Sequence, residues 1–92
     1  MYMENEKLME ILGFVKVSPY RTKTLKFIGH SVKMPSEVAK HLNIRTSHAS
    51  NVLSALKKQG LVICINPKVK KGRLYQNTDL AKELLEYLDD EN

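Results

Sequence analysis

At 92 residues, with 42% hydrophobic and 27% charged side chains and a net charge of +5, the chain has room for one modest core and a basic surface. No apolar run is long enough to span a membrane, and the opening "MYMENEKLMEILGF" carries acids where a secretory leader starts basic, so a cytoplasmic protein is expected. A single cysteine, Cys64, excludes an internal disulfide framework and fits a reducing compartment.

The elements follow in chain order within one expected domain, 1–92. In the N-terminal segment 1–17, Leu8, Ile11, Leu12 and Val15 recur at helical spacing over about 4–16 and predict an amphipathic helix. "VSPY" interrupts it. Ser18 is a candidate N-cap and Pro19 suits the first position of a second helix over about 19–29, closed by Gly29. After "HSVKM", a short connection that can be extended, "PSEVAKHLN" predicts a third helix that turns Val38, Ala39 and Leu42 inward. Asn43, which tolerates a left-handed backbone, ends it. A tight turn leads to a fourth helix over about 46–59, stopped by Gly60. "LVICI" and "RLYQN", joined by "NPKVKKG", read as a hairpin within about 61–77. Thr78 then caps a last helix, 78–92, with Asp79 in its first turn and Leu80, Leu84, Leu85 and Leu88 along one face.

Two helices joined by a tight turn and followed by a hairpin form the winged helix-turn-helix pattern, here a core over about 19–77 with an additional helix at each end. The fold class is thus mainly α with a small β-hairpin (α+β).

Charge is partitioned along the chain. Residues 1–15 carry a net −2, residues 16–73 a net +12 with Glu37 as their one acid, and residues 74–92 a net −5. A basic middle between acidic ends is the footprint of a polyanion-binding face.

The fourth helix sharpens this. Ala49, Val52, Leu53 and Leu56 gather in an arc of about 100°, the width of a core-facing stripe. Ser47, Asn51, Ser54 and Lys58 lie opposite, flanked by Ser50 and Lys57 on one side and His48 on the other, with Arg45 and Thr46 at the helix start. Ordinary solvent positions favour Glu, Lys and Gln. Ser, Thr and Asn instead compete for the backbone in a helix interior. Short donors and acceptors without an acid let a helix enter a major groove, where Asn can read adenine and Ser or His can reach base edges or phosphates. Lys68, Lys70, Lys71 and Arg73 sit on or beside the hairpin turn, positioned to grip phosphate.

"MPSEVAKHLNIRTSHASNVLSALKKQGLV" followed by "NPKVKKGRLYQNTDLAKELLEYL" resembles archaeal winged-helix transcriptional regulators with MarR-like and ArsR-like DNA-binding domains. The likeness lies in order and spacing over residues 19–88. It implies base or phosphate readers at Ser47, His48, Ser50 and Asn51, wing contacts at Lys70, Lys71 and Arg73, and double-stranded DNA as partner. The function expected is a sequence-specific DNA-binding transcriptional regulator. The alternatives are a winged-helix protein-interaction module, which would expose apolar residues on the fourth helix, and a non-specific chromatin-type binder, which would need only the lysines.

A single recognition helix contacts few base pairs, so a homodimer on two half-sites is expected; the alternative is a monomer whose two terminal stripes pair within the chain. The dimer interface is expected among Leu8, Ile11, Leu12 and Val15 at one end and Leu84, Tyr87 and Leu88 at the other. Any effector pocket would lie between the terminal helices and the core, and no particular effector is legible. No cofactor is expected. His30, His41 and His48 lack metal-ligand spacing, and Cys64 reads as a small buried hydrophobe. No nucleophile with base and orienter and no phosphate-cradling glycine loop is present, so no enzyme is expected.

Overall fold

The computed structural model describes residues 5–90; the outermost parts of the expected terminal segments, residues 1–4 and 91–92, lie outside them. The order is α1 (Asn5–Lys16), α2 (Pro19–Ile28), β1 (Val32–Lys33), α3 (Pro35–Leu42), α4 (Thr46–Lys58), β2 (Val62–Cys64), β3 (Tyr75–Asn77) and α5 (Asp79–Asp90). Each helix puts one apolar stripe into a shared core, where Val15, Leu25, Ile28, Val38, Leu53, Leu56, Leu61 and Leu84 are fully buried. Ala49, Val52, Leu53 and Leu56 are all buried, so the inner arc of α4 is the expected one.

The turns follow from local chemistry. Asn43 adopts the left-handed conformation (φ 57°) at the end of α3, and Gly60 (φ 74°) reverses the chain after α4. Glu37 accepts a hydrogen bond from the Met34 amide at 2.8 Å, which ties off the start of α3. Thr78 accepts from the Ala81 amide and donates to the Gly60 carbonyl at 2.7 Å, capping α5 while tying it to the end of α4. Ser18 precedes α2 but makes no side-chain cap, leaving Pro19, which lacks an amide hydrogen, to open that helix.

Two features differ from the sequence expectation. The hairpin is part of a three-stranded antiparallel sheet in the order β1-β3-β2, with β1 supplied by "HSVKM". Val32 pairs with Gln76 and Lys33 with Tyr75, and Ile63 meets Gln76 from the other side. Asn77, 3% exposed, fixes this sheet to α2 by donating to the carbonyls of Leu25 at 3.0 Å and Gly29 at 3.1 Å. Those carbonyls close the end of α2: that of Leu25 also accepts from the Gly29 amide at 3.0 Å, and that of Gly29 lies just past the last helical residue.

The second difference concerns the terminal helices. Leu8, Ile11, Leu12, Val15, Leu84 and Leu88, expected at a dimer interface, are buried within the chain's own core. α1 packs on α2, and α5 packs on α2 and β3, so both leucine stripes find their apolar partners inside one chain. Of the seven residues expected there, Tyr87 alone is exposed, at 45%.

Candidate nucleic-acid interface

α3 and α4 pack against each other across the turn at residues 43–45, and this places the outer face of α4 beside the hairpin loop. Between them runs a groove of about 360 Å³. Thr46, Ser50 and Ser54 line one wall at successive turns of α4, Lys70, Lys71, Gly72 and Arg73 line the other, and Ser36 closes the end at the start of α3. No acidic side chain lines it. Six of the residues singled out in the sequence are therefore brought together: three hydroxyls facing three cations.

The remaining ones lie outside this groove on open surface. Ser47, Asn51 and Lys58 project from the crest of α4, and Arg45 precedes its first turn. Arg45 makes no side-chain cap, and no acid occupies the first turn, so the positive end of the α4 dipole is uncompensated. Lys57 and Lys58 fall in the last turn, where cations also favour the helix dipole. Lys68 is exposed on the hairpin loop. His48 stands on the flank away from the groove, its ring edge-on to Tyr20 with centroids 4.8 Å apart and planes at 72°.

The loop that presents the cations is organised from within. Asn66 accepts from the Leu74 amide at 2.7 Å and donates to the Gly72 carbonyl at 3.1 Å, bridging the two sides of the hairpin. Gly72 has a left-handed backbone (φ 72°), and the Arg73 Nε donates to the Val69 carbonyl at 2.9 Å, leaving its other guanidinium donors free to turn outward. Cys64 is half-buried against the core, and its thiol lies 3.6 Å from the Asn66 side-chain oxygen.

Sequence reading missed Asn66 and Tyr20. An asparagine before proline signals a turn, but its bridge across the loop depends on the pairing of β2 with β3. Tyr20 meets His48 across 28 positions of chain, a contact that no local pattern announces. Among the described residues no three His, Cys, Asp or Glu side chains gather to hold a metal ion, and no helix is long and apolar enough to cross a membrane.

No protein-family model and no curated protein matches the sequence. Solved structures do match its fold. HlyU from Vibrio cholerae superimposes with a TM-score of 0.74 at 20% identity, over 96% of each chain. TubR bound to 24 bp of tubC from Bacillus thuringiensis serovar israelensis does so with a TM-score of 0.75 at 15% identity, over the whole of both chains. The chain has the winged helix-turn-helix fold. A third winged-helix structure, NadR in complex with 4-hydroxyphenylacetate, matches with a TM-score of 0.71 at 18% identity, over 94% of this chain and 62% of that one. In this fold α4 is the second helix of the helix-turn-helix, and the loop between β2 and β3, residues 65–74, lies beside it.

Proposed function

We propose that the protein is a sequence-specific, double-stranded DNA-binding transcriptional regulator, with α4 in the major groove and the basic wing on the phosphate backbone. The observation that carries this reading is the groove where Thr46, Ser50 and Ser54 face Lys70, Lys71 and Arg73 with no acid between them. Hydroxyls and the Asn51 amide suit base edges, whereas lysines on a projecting loop suit phosphates. The shared fold with TubR bound to DNA supports it. The likeness to archaeal MarR-like and ArsR-like regulators belongs to the same reading and rests on the motif order. A protein-interaction module would want apolar side chains on the crest of α4, and every exposed side chain there is polar.

The reading includes a cytoplasmic homodimer and assigns no reaction and no cofactor. With the leucine stripes used internally, the pairing surface is the outer side of the terminal segments, where Met9 is 64%, Val17 75% and Tyr87 45% exposed. An aromatic ring and a thioether on a mildly acidic surface fit self-association.

Selection of bound sequences from random duplex DNA tests the reading. A preferred site should emerge. Ser50→Ala and Asn51→Ala should each weaken binding to it by about 1–3 kcal/mol while barely changing affinity for random duplex. Lys70→Ala with Lys71→Ala should weaken both alike. Equal losses for the α4 variants on preferred and random DNA would leave only a non-specific binder.

A further inference from the structure

The recognition helix has two flanks, and the wing serves only one. Thr46, Ser50 and Ser54 look toward the wing. On the opposite flank His48 meets Tyr20, the second residue of α2. Along α2, Lys23 and Lys26 follow Tyr20 at one-turn steps, both exposed. With Phe27, His41 and Leu42 they line a trough of about 610 Å³ that shares no residue with the wing-side groove.

Basic side chains border the trough. Phe27 and His41 stack with ring centroids 4.0 Å apart and planes at 11°, and the Lys33 ammonium lies 4.9 Å from the same Phe27 centroid. The phenyl ring is thus engaged by His41 and Lys33 and offers no free aromatic platform for an unpaired base. No acid lines the trough, and among the described residues no ion pair ties up Lys23 or Lys26. Lys26 also borders the adjoining groove of Gly29, His30, Lys82 and Glu86, where the acidic surface of α5 begins and the basic strip ends.

We propose that Lys23, Lys26 and His41 form a second, sequence-independent grip on the DNA backbone, which takes phosphates of the same duplex just outside the segment read by α4, on the side away from the wing. This rests on the DNA-binding reading above. The continuity of the strip with α4 through the Tyr20–His48 contact selects a flank of the same duplex. Mobile ammonium groups on an open surface supply charge without reading bases. A small organic anion would instead call for an enclosed pocket with few, fixed polar groups.

The test compares the wild-type chain with Lys23→Gln/Lys26→Gln, which removes both charges at exposed positions while keeping the first two methylenes of each stem; unfolding in denaturant checks that the fold is unchanged. Three duplexes serve: the preferred site with long flanks, the preferred site trimmed to the segment read by α4, and a long random sequence. Affinity is followed as salt is raised. On both long duplexes the variant should lose affinity, and its log-affinity against log-salt slope should flatten by about 0.9 per lost contact. On the trimmed duplex the two proteins should bind alike. Unchanged slopes on long DNA would overturn the grip. Equal loss on trimmed DNA would also overturn it, revealing a diffuse field instead. A change in oligomeric state without DNA would overturn it too, because the trough would then be holding the acidic surface of a second copy. The random duplex keeps the two readings separable. Binding that shows no sequence preference but a flattened slope removes only the regulator reading, whereas normal preference with an unchanged slope removes only the second grip.

Discussion

α4 and α5 are helices of nearly equal length, 13 and 12 residues, that sink a similar apolar stripe into the same core. Their outer faces share almost nothing. α4 shows Thr46, Ser47, His48, Asn51, Ser54, Lys57 and Lys58 without one acid, whereas α5 shows Asp79, Glu83, Glu86 and Tyr87. Ser, Thr and Asn are mediocre helix formers on a wet surface, and the Glu and Lys of α5 are good ones. The inner faces explain the fold and are interchangeable in kind. The outer faces are where the two helices were put to different uses, and α4 carries its use at some cost in helix propensity.

The largest effects should show no difference between the two helices. Leu53→Ala in α4 and Leu84→Ala in α5, both at fully buried positions, should each destabilise the chain by about 2–5 kcal/mol in denaturant unfolding. A much smaller loss at Leu84 would mean that α5 is only loosely seated.

Outer-face changes should then separate the helices. Ser54→Glu places an acid in the groove facing Lys70, Lys71 and Arg73. It should lower affinity for any duplex at least tenfold, about 1.4 kcal/mol. Unfolding free energy should stay within about 0.5 kcal/mol of wild type. Glu86→Ser, the reverse exchange on α5, should leave duplex binding nearly unchanged. A gain in duplex affinity for Glu86→Ser as large as the loss for Ser54→Glu would show that overall charge, not the α4 face, governs binding.

The smallest effect concerns self-association. Tyr87→Ala should shift a monomer–dimer equilibrium, measured by sedimentation at tens of micromolar, by about 1 kcal/mol or less. A wild-type chain that sediments as a monomer at that concentration, with and without DNA, would remove the pairing proposed for the terminal helices.

Much of this was legible in the sequence because it is local. Helical spacing, Pro19 at a helix start, Asn43 and Gly60 at helix ends and Thr78 at a cap each act over three or four residues. The hydroxyl and lysine sets that meet in the wing-side groove were legible for the same reason: each lies on one element. What escaped is non-local. β1 has two residues, too short to show alternation, and exists as a strand through its pairing with β3. The stripes on α1 and α5 announce burial but not the partner, and the partner turned out to lie within the chain. Asn66, Tyr20 and the Phe27–His41 stack join residues that only the finished fold brings together.

Asn77 has a consequence that reaches beyond its two hydrogen bonds. It ties β3, from which the wing emerges, to the end of α2, the helix that carries Tyr20, Lys23 and Lys26. The strand that leads out of the wing and the helix that carries the second set of lysines are therefore braced to each other. Under the two-margin reading proposed above, such a frame would present DNA with a set spacing, and a duplex held at both margins would have to match it by bending or by narrowing a groove. The cost of that distortion depends on how readily each base step deforms. Base pairs that no side chain touches would then contribute to the choice of site.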